Sequence, residues 1–268
     1  MARPIEVREH GKHGPDIVVL HGGPGGQGSV VSLAAALAPS YHVLEPLMRA
    51  AGTLPLTMDQ HAEDVAQIAP PQATYIGWSW GAMLGLTFAA LYPERVKSLV
   101  LVGCGPYDEV SREEHLARRR ASLGPDGEAR YFDLLARLRT TTDVEWANSL
   151  LGQLGELVEK SQAVEPIGLT SADTVPDAAG YLETWADVVR LQRDRIEPER
   201  FGAVSCPVLM LHGEEDTHPG HLIRDVLQAY IPQLAFIGIP ACGHVPWYER
   251  YGREAFFTAL KQWIEGIK

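Results

Sequence analysis

The sequence predicts an α/β fold: a mostly parallel sheet covered by helices on both faces, with a helical cap insertion. Three observations lead there. From Asp16 to Gly103, short apolar runs alternate with helical runs. From about Tyr107 to Phe201 the chain turns rich in charge and helix formers, with no convincing buried strand. The alternation then resumes at Cys206. A helical insert of this kind forms a lid over a site more often than it continues a sheet. We therefore expect a core from residues 1–106 and 202–268 and a cap from residues 107–201. The 268 residues are ample for one such core.

Taken in order, Asp16–Leu20 reads as a buried strand that ends in the tight loop His21-Gly22-Gly23-Pro24-Gly25-Gly26. Val30 to Leu37 has helical character, Tyr41 to Leu44 is strand-like, and His61 to Ala69 is helical. Thr74 to Gly77 is a strand, Ala82 to Leu91 a helix, and Ser98 to Gly103 a further buried strand. Within the insert, Ser111 to Ser122, Gly127 to Thr140 and Leu182 to Arg195 read as helices. Cys206 to Gly213 and Leu234 to Ile239 return as strands. Helices at Leu222 to Tyr230 and Arg250 to Ile267 follow them.

Charge and composition exclude several classes. A formal net charge of −11 argues against a nucleic-acid partner or an anionic membrane surface. The ten-residue start, with Arg3, Glu6, Arg8 and Glu9, is too charged for a signal peptide, so the cytoplasm is the expected location. Cys104, Cys206 and Cys242 form no C-x-x-C and no even framework, and each lies beside an apolar run, as buried free thiols do. Neither H-E-x-x-H nor G-x-x-x-x-G-K-[ST] occurs, so no metal and no phosphate-bound cofactor is expected.

The most informative stretch is Gly77-Trp78-Ser79-Trp80-Gly81, a G-x-S-x-G set between a strand and a helix. Such a turn is so sharp that its serine takes a strained conformation and points its hydroxyl out of the sheet. The competing reading is a glycine-rich turn whose serine merely caps the helix. A serine hydroxyl needs a general base and a group that orients it, and here the acid and then the histidine should follow in the chain. Asp216 lies in the loop after the strand ending at Gly213, and His244 in the loop after the next strand. Both sit at carboxyl ends of parallel strands, where open sheets keep their ligand crevice. Glu215 is the nearest rival for the acid. Backbone N–H groups of Trp80 and Gly23 are the candidate oxyanion donors. His21 is read as a structural residue that holds its loop.

Gly23-Pro24-Gly25-Gly26-Gln27-Gly28 also satisfies G-x-G-x-x-G, and the next strand is followed by Glu45. That is the pattern of an NAD-binding dehydrogenase. Pro24 removes a donor from a loop that would have to present N–H groups to pyrophosphate, and the fingerprint leaves Ser79, Asp216 and His244 unexplained.

Across nearly its whole length, through the His21–Gly26 loop, the Gly77–Gly81 elbow, Asp216 and His244, the chain resembles the α/β-hydrolase superfamily. The pairing of H-G-G-P-G-G with G-x-S-W-G resembles its prolyl aminopeptidase (proline iminopeptidase) branch. Residues 107–201 match that family's cap. The resemblance implies a cofactor-free serine hydrolase acting on a small ester or amide, or releasing an N-terminal residue. It departs at Glu45-Pro46-Leu47-Met48-Arg49-Ala50-Ala51-Gly52, where the peptidases carry D-Q-R-G-x-G-x-S. Those peptidases hold the substrate amine with cap glutamates. Glu183 is the candidate for that role here, against a solvated helix face. Trp78, Trp247 and the cap residue Trp185 are candidates for an apolar pocket, against core packing. A lyase or carbon–carbon bond enzyme, and a receptor-like ligand-binding module, are further alternatives on the same triad. A homodimer stays open.

Overall fold

The computed structural model describes residues 5–168 and 174–267. Residues 1–4 of the charged start, 169–173 of the expected cap and 268 lie outside the described residues.

A seven-stranded sheet runs through the molecule in the order β1 (Glu6–His10), β4 (His42–Leu47), β2 (Asp16–Leu20), β5 (Ala73–Trp78), β6 (Val96–Val102), β8 (Val208–Gly213) and β9 (Leu234–Ile239). Only β1 is antiparallel to its neighbour. Successive residues of one strand face opposite sides, and the core divides accordingly. Val18, Leu20, Tyr75, Leu99, Leu101 and Met210 belong to one apolar layer, and Ile17, Val19, Ile76, Val100, Val102 and Leu211 to the other. Helices α2 (Met58–Ile68), α3 (Trp80–Leu91) and α7 (Gly220–Gln228) cover the first face through Ala62, Val65, Leu84, Phe88, Ile223 and Leu227. Helices α1 (Val31–Leu37) and α8 (Gly252–Gly266) cover the second through Leu33, Leu37, Phe256 and Leu260.

Several boundaries move from their expected places for local reasons. Helix α2 starts at Met58, three residues before the expected His61, because Thr57 caps it by accepting the Gln60 N–H at 3.1 Å. Strand β1 was not expected at all. Glu6-Val7-Arg8-Glu9-His10 holds one apolar residue, and the strand forms by pairing at a sheet edge, where His10 Nε2 meets buried Glu45 Oε2 at 2.9 Å. Glu45 thus faces the sheet edge, not a nucleotide.

The insert supplies α4 (Glu109–Thr140), α5 (Val144–Ser161), the two-residue β7 (Val175–Pro176) and α6 (Ala178–Arg193). Gly124, with φ +66°, breaks α4 between the two expected helices. Helix α5 went unread because its charges mask a narrow stripe, Leu150, Leu151 and Leu154. That stripe packs with Leu134, Leu138 and Ala178 into a core of the insert's own. Carboxylates of α6 and its cap fasten the insert to the main body. Asp177, Glu183 and Asp187 accept the N–H groups of Ala51, Leu56 and Met58 at 2.8, 3.0 and 2.8 Å. Among the described residues no helix is long and apolar enough to cross a membrane.

The turn from β5 to α3 is the tightest passage in the fold. A Cβ at Gly77 would collide with the Gly81 carbonyl, and one at Gly81 with the carbonyl oxygens of Leu20 and His21. Backbone cannot step aside as a side-chain tip does. We expect Gly81→Ala to lose about 1–3 kcal/mol or more of stability in urea denaturation. Gly202→Ala, where nothing lies within 4 Å of the added methyl, should stay within about 0.5 kcal/mol of the parent.

Candidate active site

Strand register builds the site. Trp78 pairs with Val102, and Val102 with Leu211, so the residues that follow these strands share one rim of the sheet. Ser79 N–H donates to Val102 O at 2.8 Å, and Gly103 N–H to Leu211 O at 3.2 Å. Ser79 itself has φ +55° and ψ −118°, a left-handed conformation that side chains rarely adopt. This is the strained elbow the motif called for.

Asp216 follows β8 and is almost fully buried. His244 follows β9, and its Nδ1 lies 2.7 Å from Asp216 Oδ2. Glu215 is exposed and Asp216 is not, which separates the two candidate acids. Burial alone would raise the Asp216 carboxyl. His244, His218 and His212 outweigh that and hold it well below the usual carboxylate range. Gly103 makes the pair possible: it has φ +57°, and a Cβ there would stand 2.8 Å from His244 Nδ1 and 3.3 Å from Asp216 Oδ2. Nothing in the apolar run before Gly103 reveals this role.

Trp78 grips the histidine from below. Its indole N–H donates to His244 O at 2.9 Å, and its ring lies 5.4 Å from both the imidazole and the Trp247 ring. Trp247 is 2% exposed and donates to Ser32 Oγ at 3.1 Å. Both tryptophans lie in the apolar layer under the site, so the pocket lining expected of them gives way to packing. Trp185 packs half-buried against the opposite layer, beside Tyr181. Glu183 is exposed and uses Oε1 on Leu56 N–H. That contact fastens α6 to the segment before α2.

On the other side of the elbow, the absence of a side chain at Gly81 lets the first turn of α3 lie against Leu20 and His21. The His21 ring lies beside that of Trp80, with centroids 5.7 Å apart. Trp80 is the first residue of α3, where an N–H has no intrahelical acceptor. Gly23 has φ +122°. His21 braces the loop: Nδ1–H donates to Gly22 O at 2.8 Å, and Nε2 accepts from Met48 N–H at 3.4 Å. Burial pushes its pKa down to about 4, so it is neutral at physiological pH.

The insert closes on the histidine loop. Gln162 O accepts the His244 N–H at 3.0 Å, and Gln162 Nε2 donates to Thr217 Oγ1 at 2.8 Å. Buried Glu249 accepts N–H groups from Val164, Glu165 and Gly243 at 2.9, 2.8 and 3.0 Å. One residue of the insert therefore holds both the acid loop and the histidine loop. Asp216, His218 and His244 lie close enough to resemble a metal-ligand group. Both imidazole Nδ1 atoms are turned to the carboxylate itself, at 2.9 and 2.7 Å, and hydrogen bonding accounts for the cluster. The three cysteines are free and buried, with Cys104 and Cys242 pushed up to about 12 and Cys206 to about 11 by burial.

Sheet, elbow and buried acid–histidine pair together define a protein of the α/β-hydrolase class. The chain belongs to the α/β-hydrolase fold family, whose model matches residues 15–251. It is 25% identical over 239 residues to a pimeloyl-(acyl-carrier protein) methyl ester esterase of Nitrosomonas europaea, covering 87% of this chain and 90% of that protein. It is 26% identical over 263 residues to the enzyme of that name from Chromobacterium violaceum, covering 94% and 95%. Among solved structures, a thermophilic esterase from Thermogutta terrifontis superposes with a TM-score of 0.65 at 20% identity, over 98% of this chain and 93% of that one. These relatives share the superfamily expected from the sequence, but they are esterases, not prolyl aminopeptidases.

Two predictions follow from the site's burial and crowding. His21, His61 and His218 are each pushed down to about 4 by burial, below the ordinary 6.5. Above about pH 6.5 both folded and unfolded states hold them neutral, and their contribution is complete. As pH falls from 6.5 toward 4 only the unfolded state takes up protons, so stability drops by up to about 1.4 kcal/mol per pH unit per histidine. Denaturation measured at pH 7, 6 and 5 should show this fall, with a shallower slope for His61→Phe. Gly103→Ala should lower kcat by at least about tenfold through displacement of His244, in steady-state ester hydrolysis by folded protein.

Proposed function

We propose that this chain is a cofactor-free serine hydrolase that cleaves a small carboxylic ester through an acyl-enzyme. The observation that carries the reading is the buried Asp216–His244 pair, 2.7 Å apart, on the same sheet rim as the strained Ser79. His244 accepts the Ser79 proton as the serine oxygen attacks the ester carbonyl. The oxyanion takes hydrogen bonds from the Trp80 and Gly23 amides. His244 then returns the proton to the departing alkoxide, and water attacks the acyl-enzyme with His244 again as base. Asp216, which accepts from His244 Nδ1–H, holds the imidazole with Nε2 free to act.

The ester preference is supported by the relatives, whose substrate as named is a methyl ester. An aminopeptidase would need a carboxylate for the substrate's amino group, and Glu183 already serves Leu56 N–H.

A fluorophosphonate probe should label wild-type protein at Ser79, located by peptide mass spectrometry. Short-chain p-nitrophenyl esters should turn over in the wild type. Ser79→Ala should abolish both signals, and Asp216→Asn should lower kcat on the order of 10⁴-fold, as loss of the orienting acid does in other triads. Hydrolysis of proline arylamide with no ester turnover would sink the ester reading in favour of the peptidase.

A further inference from the structure

Asp216 is surrounded by more imidazoles than its partnership with His244 requires. His218 turns Nδ1 toward Asp216 Oδ1 at 2.9 Å, and its backbone N–H donates to the same oxygen at 2.9 Å. Its ring is nearly parallel to that of His244, with centroids 4.5 Å apart and planes 26° apart. His115 of α4 stacks on it as well, at 3.9 Å and 18°. Two near-parallel rings this close must occupy opposite faces, so His218 is the middle of a three-imidazole stack running from the insert to the site. His212, at the end of β8, donates Nε2–H to His218 O at 3.0 Å and lies 3.3 Å from Asp216 Oδ2.

These contacts define the charge state. Asp216 only accepts, so His218 Nδ1 carries the proton. Burial pushes the pKa of His218 down to about 4, and burial lowers that of His115 as well. The charged and titratable groups facing His218 are His115, Arg118 and Arg119 from α4, His212 from β8, Asp216 from its own loop, and His244. Asp216 opposes the downward shift of His218 through its charge and its hydrogen bond, His244 and Arg119 reinforce it, and burial prevails. His244 therefore sees the face of a neutral aromatic ring, which attracts a cation where an imidazolium would repel one.

We propose that His218 is a positioning residue of the site: it clamps Asp216 Oδ1 while its neutral ring stacks on His244 and favours the charged imidazole that forms during acyl transfer. This deepens the proposed mechanism and rests on the roles given there to Asp216 and His244.

The test is the pH dependence of kcat/KM for p-nitrophenyl butyrate in the wild type, His218→Phe and His218→Asn. Phenylalanine keeps a stacked face but removes the donor, leaving more carboxylate charge for His244. The midpoint of the acidic limb should rise by about half a pH unit. Asparagine keeps a donor near Asp216 Oδ1 and removes the ring, so the midpoint should fall by about half a pH unit. A residue that serves as scaffold alone would lower kcat and leave both midpoints in place, and that result overturns the inference. Should either variant fail to fold, proton NMR of the wild type decides. Two low-field imidazole N–H resonances, one each from His218 and His244, are expected, and a single one overturns the inference. Wild-type protein that neither labels at Ser79 nor hydrolyses the ester overturns the catalytic reading and this inference together. Active wild type with unmoved midpoints overturns the role of His218 alone.

Discussion

The buried carboxylate of Asp216 governs the rest of the site. A lone ionised acid removed from water costs several kcal/mol, and a protein keeps one only where hydrogen-bond donors replace the lost solvent. Here the replacement comes from the His218 backbone and ring and from His244 Nδ1. His218 donates from the acid's own loop and His244 from the loop after the next strand. The bare Gly103 backbone leaves room for that meeting.

The insert is part of this arrangement. Gln162 supports His244 through its carbonyl and Thr217 through its side chain, while Glu249 binds the strap of residues 164–165 to the histidine loop. On its far side, three carboxylates of the α6 region hold backbone N–H groups between Ala51 and Met58. At the α6 seam the contacts run from carboxylate to backbone N–H, and they depend little on which residue of the loop donates.

Much of the frame was legible because its signals are local. Apolar runs such as Ile17–Leu20 and Ser98–Val102 are buried on both faces, so they read as strands without knowledge of their neighbours. Gly77, Ser79 and Gly81 announce a turn that only this spacing allows. Strand β1 and helix α5 were illegible for the opposite reason. Glu6–His10 becomes a strand by pairing with β4, and α5 is held by an apolar stripe too narrow to stand out among its charges. Trp78 and Trp247 were ambiguous because an aromatic side chain carries the same apolar area whether it lines a pocket or fills a core.

Apart from β1, the sequence by itself determined the strands of the seven-stranded sheet, and it determined the sharp turn at Ser79, because each depends on residues a few positions apart. Tertiary structure alone decided that Asp216, not Glu215, turns inward, that Glu183 fastens a seam, and that His115, His212 and His218 gather around one carboxylate. These are matters of distance between segments up to 127 residues apart. Only the packing of an insert against a sheet edge brings such groups within a hydrogen bond or a ring stack of one another.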